Sequence, residues 1–164
     1  MTTLHAAAES ALAGLKPGER LMGLDLGSKT IGIATSDITR QIATPRLTLA
    51  RKKFTADAAA LIEFAQKEDI GLVVLGLPLN MDGSEGARCQ STRAFQRNLA
   101  KLTPLPMVFW DERLSTVAVT RTMLEADMSR AKRAENVDKF AAAHILQAFL
   151  DALRSPQPDF PTGQ

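Results

Sequence analysis

The sequence predicts an α/β domain built on a mixed five-stranded sheet, in which an antiparallel three-strand meander is continued by parallel strands and flanked by helices. Three observations lead there. Residues 20–49 hold three β-type runs separated only by short turns. From Phe54 onward the apolar period becomes helical, and helical stretches alternate with short buried runs. Finally, 164 residues with 45% hydrophobic and 23% charged side chains suit one globular domain with a real core.

The elements follow in order. Thr2 to Gly14 is Ala-rich and ends in the stop-and-turn cluster Gly14-Leu15-Lys16-Pro17-Gly18, so residues 1–19 are expected to form a short helical or frayed extension outside the core. Arg20–Leu26 reads as a buried strand, Gly27-Ser28-Lys29-Thr30 as a tight turn and Ile31–Ser36 as a second strand. Gln41–Leu49 supplies a third, with Pro45 marking an edge or a break. Phe54, Ala58, Leu61, Ile62 and Ala65 share a helical face, and Ile70–Leu75 is a continuous apolar run suited to a strand buried on both sides. A helix over Glu85–Leu102 and a strand over Pro106–Trp110 come next. Ser115-Thr116, whose hydroxyls are good caps, opens a helix to about Ala126. Asn136 is expected to cap the last helix, through Leu153, with Val137, Phe140, Ala141, His144, Ile145 and Ala148 facing inward. The folded domain is thus expected over residues 20–153. Residues 154–164, with Pro156, Pro158 and Pro161, read as a disordered tail.

Composition narrows function mainly by exclusion. A net charge of +2 singles out no partner, and the lone cysteine, Cys89, with two histidines excludes an internal disulfide framework and disfavours a structural zinc site. No basic segment followed by an apolar one opens the chain, and no run approaches the ~18 apolar residues of a membrane span. A cytoplasmic protein with no membrane partner is expected. Aromatic residues make up 5%, with no tyrosine, which argues against a base-stacking platform.

Three carboxylates stand apart from the solvated majority. Asp25 interrupts the apolar strand Leu21–Leu26, where a charge costs desolvation unless it is paired or bound to a cation. Glu112, beside Asp111, ends the apolar run Met107–Trp110. Asp138 is placed in the first turn of the last helix, and Ala141 and Ala142 on its face would let that helix approach the sheet closely. Convergence of the three at one sheet edge would form a self-repelling cluster suited to Mg²⁺ or Mn²⁺. On spacing alone other readings stay open: Asp25 as a turn former before Gly27, Asp138 as a helix-dipole acid, and Asp111-Glu112-Arg113 as a surface charge cluster. Glycines surround Asp25 at Gly23, Gly27 and Gly32, and the loop from Gly76 to Ser84 falls between a buried strand and a helix, where α/β sheets place ligand loops.

Four ordered motifs carry a resemblance. Gly23-x-Asp25-x-Gly27-x4-Gly32-x-Ala34-x-Ser36-Asp37 comes first, then Val73-Val74-x-Gly76-x-Pro78-x-Asn80-Met81-Asp82-Gly83-Ser84. Asp111-Glu112-Arg113-x-Ser115-Thr116 follows, and Val137-Asp138-x-x-Ala141-Ala142-x-x-Ile145-Leu146-Gln147 is last. Together they resemble the YqgF/RuvX family across roughly Arg20 to Asp151. The resemblance implies an RNase H-like fold related to Holliday-junction resolvases and a bacterial cytoplasmic pre-16S rRNA nuclease acting in 5′-end maturation. It also implies that Asp25, Glu112 and Asp138 are the catalytic, metal-binding acids, holding Mg²⁺ or Mn²⁺ for two-metal phosphodiester hydrolysis.

Under that reading, precursor ribosomal RNA and ribosomal particles are the expected partners. Branched DNA and a non-catalytic nucleic-acid-binding role are the alternatives, and a monomer and a homodimer are equally compatible. An actin-like ATPase would need two such lobes. His144 is expected as a core or edge residue, Ser115 and Thr116 as caps, and Cys89 as a small packing residue. Basic residues cluster at Arg40, Arg46 and Arg51-Lys52-Lys53, along Arg88, Arg93, Arg97 and Lys101, and at Arg130, Lys132, Arg133 and Lys139. Lys29, Arg113, Arg130, Lys132, Arg133 and Lys139 are the candidate phosphate contacts, with residues 129–133 expected as a loop, while Gly27, Asn80, Asp82 and Gly83 are expected beside the site.

Overall fold

A computed structural model describes residues 4–114 and 130–154. Helix α1 (Leu4–Ala13) precedes β1 (Arg20–Leu26), β2 (Thr30–Ser36), β3 (Ala43–Ala50), α2 (Phe54–Lys67), β4 (Ile70–Leu77), α3 (Ala87–Ala100) and β5 (Met107–Asp111). A 3-10 turn, Glu112–Leu114, follows β5, and α4 (Arg130–Arg154) ends the described chain. The strands form one sheet in the order β3-β2-β1-β4-β5, antiparallel across β3-β2-β1 and parallel across β1-β4-β5. Meander and parallel extension are both as expected. The helix predicted from Ser115-Thr116 to Ala126 and the tail from residue 155 lie outside the described residues.

The two-residue period of β1 assigns its side chains to two cores. Leu21 packs with Leu72, Val74 and the α4 residues Ala142, Ile145, Leu146, Phe149 and Leu150. Met22, Leu24 and Leu26 pack on the other face with Val73, Leu75, Ala58, Leu61, Phe95 and Leu99, from β4, α2 and α3. Covered on both sides, β4 is buried along its whole length, which is why it reads as an unbroken apolar run. Pro45 falls on the edge strand β3, where the register with β2 slips between Ile33 and Ala34, so its missing N–H interrupts no central ladder. Trp110 meets Phe149 edge-on with ring centroids 5.9 Å apart, fastening β5 to α4.

Three expectations change. The N-terminal extension is not outside the core: Ala8 of α1 is buried in the α4-side cluster, with Ala11, Leu12 and Leu15 packed against it. Gly71, at the start of β4, makes room for this, because a Cβ there would overlap Leu15 and the Glu19 carboxylate. The last helix begins at Arg130, so Asn136 is an interior residue and residues 130–133 are helical rather than a loop. Ala131, Lys132, Arg133, Ala134 and Glu135 are good helix formers, and their summed propensity extends the helix past the cap-like asparagine. The buried stripe of α4 overlaps the expected one and extends beyond it: Ala141 and Ile145 are buried as expected, Ala142, Leu146, Phe149 and Leu150 join them, and Phe140, His144 and Ala148 are only half-buried.

The far end of the sheet is held by short polar networks. The Asp37 carboxylate accepts hydrogen bonds from the backbone N–H groups of Gln41 and Ile42, at 2.8 and 3.0 Å, and from the Thr39 hydroxyl. The Ile42 N–H contributes most, and together these donors hold the Asp37 pKa at about 2 against an ordinary 3.8. A carboxyl depressed in the folded state stabilises above its unfolded value and loses that contribution as pH falls through the folded one. Asp37→Ala should therefore cost about 1 kcal/mol at pH 7, and the difference from the parent should fade between about pH 4 and pH 2, read as urea midpoints across that range.

Candidate active site

Asp25 sits near the end of β1, in the alternation of Leu21 and Gly23, so it faces α4, and it is only 1% exposed. Across the antiparallel ladder its partner is Gly32. A Cβ at Gly32 would collide with the main chain of Asp138 and Lys139, and one at Gly23 would lie 2.9 Å from the Ala142 carbonyl oxygen. The small residues expected to let α4 approach are therefore matched by glycines on the sheet. Since α4 starts at Arg130, Asp138 lies well inside the helix, which removes the helix-dipole reading of this acid.

Asp138 leans over the β1–β2 turn. Its Oδ2 accepts a hydrogen bond from the Thr30 hydroxyl, and a Cβ at Gly27 would stand 3.1 Å from the same oxygen. Gly27 N–H closes the turn on the Thr30 carbonyl at 2.9 Å. Glu112 arrives from the other side: a Cβ at Gly76 would lie 2.7 Å from its Oε1. The parallel register pairs Leu24 with Leu75, bringing Asp25 level with Gly76 at the same end of the sheet. All three predicted acids are thus delivered to one sheet end by β1, the turn after β5, and α4.

Carboxylate oxygens are the donors that hard divalent cations prefer, and the bare backbone at Gly27, Gly32 and Gly76 leaves the acids the room they occupy. In kind, the donor set is one such an ion takes. Among the described residues, no three of His, Cys, Asp and Glu stand together as a ready-made ion site.

Gly27 lies against Asp138, and the Asn80–Ser84 loop meets Arg113, the residue after Glu112. Asn80 N–H bonds to the Ser84 carbonyl at 3.0 Å, Gly83 N–H returns to the Asn80 carbonyl at 2.8 Å, and Asp82 accepts the Ser84 N–H at 2.9 Å. Gly83 has φ +87°, which favours glycine. Arg113 ties this loop to the end of β5. It forks onto the Asp111 carboxylate, with Nη2 to Oδ2 at 2.7 Å and Nε to Oδ1 at 3.0 Å, and reaches the Met81 carbonyl at 3.4 Å. Burial would raise the Asp111 carboxyl, but the hydrogen bonds from Arg113 outweigh it and hold the group below its ordinary value.

The other candidate phosphate contacts divide. Lys29 is exposed on the β1–β2 turn. Lys139 follows Asp138, its ammonium 5.8 Å from the Phe140 ring centroid. Arg130, Lys132 and Arg133 have helical backbone, and their side chains lie outside the described residues. Arg40 and Arg46 are turned to other uses at the far end of the sheet: Arg40 binds the Glu19 and Lys16 carbonyls at 2.9 and 2.6 Å, and Arg46 grips Glu68 at 2.9 Å. Cys89 is fully buried, and that burial pushes its thiol pKa up, away from reactivity. The Thr30 hydroxyl on Asp138 escaped prediction, because a turn threonine has an ordinary local role and the bond depends on where α4 docks.

A sheet in this order, with an acid buried at the end of its first strand and a long helix crossing it, defines an RNase H-like domain of the kind found in junction resolvases. The structure superposes on Thermus thermophilus RuvC with a TM-score of 0.51, covering 82% of this chain and 96% of that one at 12% identity. T. thermophilus RuvC in complex with a Holliday junction substrate gives 0.50, covering 83% and 96% at 11% identity. Within that class the chain belongs to the RuvX family, described as Holliday junction resolvase, which it matches over residues 19–152. A relative from Paramagnetospirillum magneticum is 61% identical over 85% of this chain and 90% of its own, and one from Methylocella silvestris is 58% identical over 90% and 91%. A third, from Rhizobium rhizogenes, is 56% identical over 98% of both chains. All three carry the name "Putative pre-16S rRNA nuclease".

Gly32→Ala puts a methyl group where the Asp138 main chain stands. It should cost at least ~3 kcal/mol, seen as a fall in the thermal unfolding midpoint of about six degrees or more, whereas Gly18→Ala, which meets nothing within 4 Å but has φ +87°, should cost only about 1 kcal/mol.

Proposed function

We propose that this protein is a divalent-metal-dependent endonuclease that hydrolyses phosphodiester bonds in structured RNA, with precursor 16S rRNA, in the cytoplasm and on ribosomal particles, as its substrate. The observation that carries the proposal is the delivery of Asp25, Glu112 and Asp138 to one end of the sheet over a bare glycine backbone. The relatives' shared name supports RNA as the polymer.

Asp25, Glu112 and Asp138 are the residues that would hold Mg²⁺ or Mn²⁺. When bound, such ions supply an activated water and stabilise the leaving 3′-oxygen. The protein's own contribution is placement. Gly32 lets the Asp138 main chain come down onto the strand that pairs with Asp25, Thr30 orients the Asp138 carboxylate, and Gly76 leaves room for Glu112. Arg113, fixed on Asp111, braces the Asn80–Ser84 loop through the Met81 carbonyl. No histidine or serine nucleophile is required. A second reading, cleavage of branched DNA, is favoured by the description of the RuvX family.

The test offers purified protein precursor 16S rRNA and a four-way DNA junction, each with Mg²⁺ and with EDTA. RNA cleavage that EDTA abolishes is expected. Asp25→Asn, Glu112→Gln and Asp138→Asn should each lower the rate by at least ~100-fold while the far-ultraviolet circular dichroism stays unchanged. Junction cleavage without RNA cleavage would replace the substrate, and tight binding of either polymer without cleavage would favour a non-catalytic role.

A further inference from the structure

Two arginines outside the acidic cluster meet at the residues that follow Asp25. Arg51, in the connection between β3 and α2, donates from Nη1 to the Gly27 carbonyl at 2.7 Å. Arg88, in the first turn of α3, donates from Nη2 to the Leu26 carbonyl at 3.4 Å. Arg51 is planted firmly: its backbone N–H bonds to the Lys29 carbonyl at 2.9 Å, and its guanidinium lies 5.6 Å from the Phe95 ring centroid. Phe95 is in turn packed edge-on against Phe54 at 5.3 Å. Arg88 is exposed, and its bond to the Leu26 carbonyl places it at the end of β1 that carries Asp25.

Two guanidiniums on consecutive carbonyls repel each other, and a shared anion relieves that repulsion just as a cation relieves clustered carboxylates. Each guanidinium carries five N–H donors in a planar fork, and the carbonyl it holds takes one of them. Exposed Lys29, on the same turn, adds a third positive charge. This group approaches the acids from the α2–α3 side of the sheet, whereas Lys139 approaches from the α4 side. Building on the nuclease reading above, we propose that Arg51 and Arg88 form a phosphate clamp, which grips a substrate phosphodiester next to the one that is cut and sets the path of the strand across the acids.

The test measures equilibrium binding of a fluorescein-labelled stem–loop RNA from a 16S rRNA precursor boundary, in an Asp25→Asn background with Mg²⁺, as KCl is raised. The parent's affinity should fall linearly on a log–log plot. Arg88→Gln and Arg51→Gln should each reduce the magnitude of that slope by about 1, and Arg88→Lys, which keeps the charge, should restore it. Arg88→Gln is a surface change and should unfold within about 2 °C of the parent. An unchanged slope with a lowered unfolding midpoint would show that the arginines only brace the turn, and the clamp would fall while the nuclease reading stood. If the wild-type chain cuts and binds neither this RNA nor a four-way junction, both fall together.

Discussion

Helix α4 lies so close to β1 and β2 that its main chain occupies the space where side chains would stand at Gly23 and Gly32. Much else depends on this seam. It places Asp138 beside Asp25 without any loop to hold it, because the helix can descend only where the sheet has no Cβ and the helix itself offers Ala141 and Ala142. The hydrophobic contacts of Ile145, Leu146, Phe149 and Leu150 farther along the helix hold the approach rigid. An acid carried on a packed helix and another on a central strand keep a fixed relation that loop-borne residues would not.

Electrostatics then separates the two ends of the sheet. At the acidic end, the carboxylates stand between basic groups on both faces, Lys139 on α4 and Arg51 and Arg88 on the other side. At the opposite end, Arg20 and Arg46 converge on Glu68, and the Arg46 interaction pulls that carboxyl below its ordinary range. Arginines thus serve different ends of the sheet, and the near balance of total charge conceals two separate arrangements of paired charge.

Much of this was legible because local and global preferences agree. The run Arg20–Leu26, its Gly-Ser-Lys-Thr turn and the Pro45-marked edge strand lie where alternation and turn chemistry put them, and Asp25 announces itself as an acid among apolar neighbours. What was not legible depends on tertiary contact. The packing of the connection from α1 to β1, at Leu15 and Glu19, relies on a missing side chain at Gly71, which a linear reading takes as simple strand punctuation. The start of α4 pits one capping residue against a run of good helix formers, and two overlapping apolar stripes on that helix leave its rotation undetermined until the sheet selects one. Thr30 gains its partner only once α4 is in place.

The edge-on contact between Trp110 and Phe149 joins the strand that delivers Glu112 to the helix that delivers Asp138. Trp110 is the chain's one tryptophan, and there is no tyrosine. Nearly all of the protein's intrinsic ultraviolet emission therefore originates at this junction. The molecule carries a built-in optical reporter of the relation between two of its acids, and it needs no attached dye to follow their assembly.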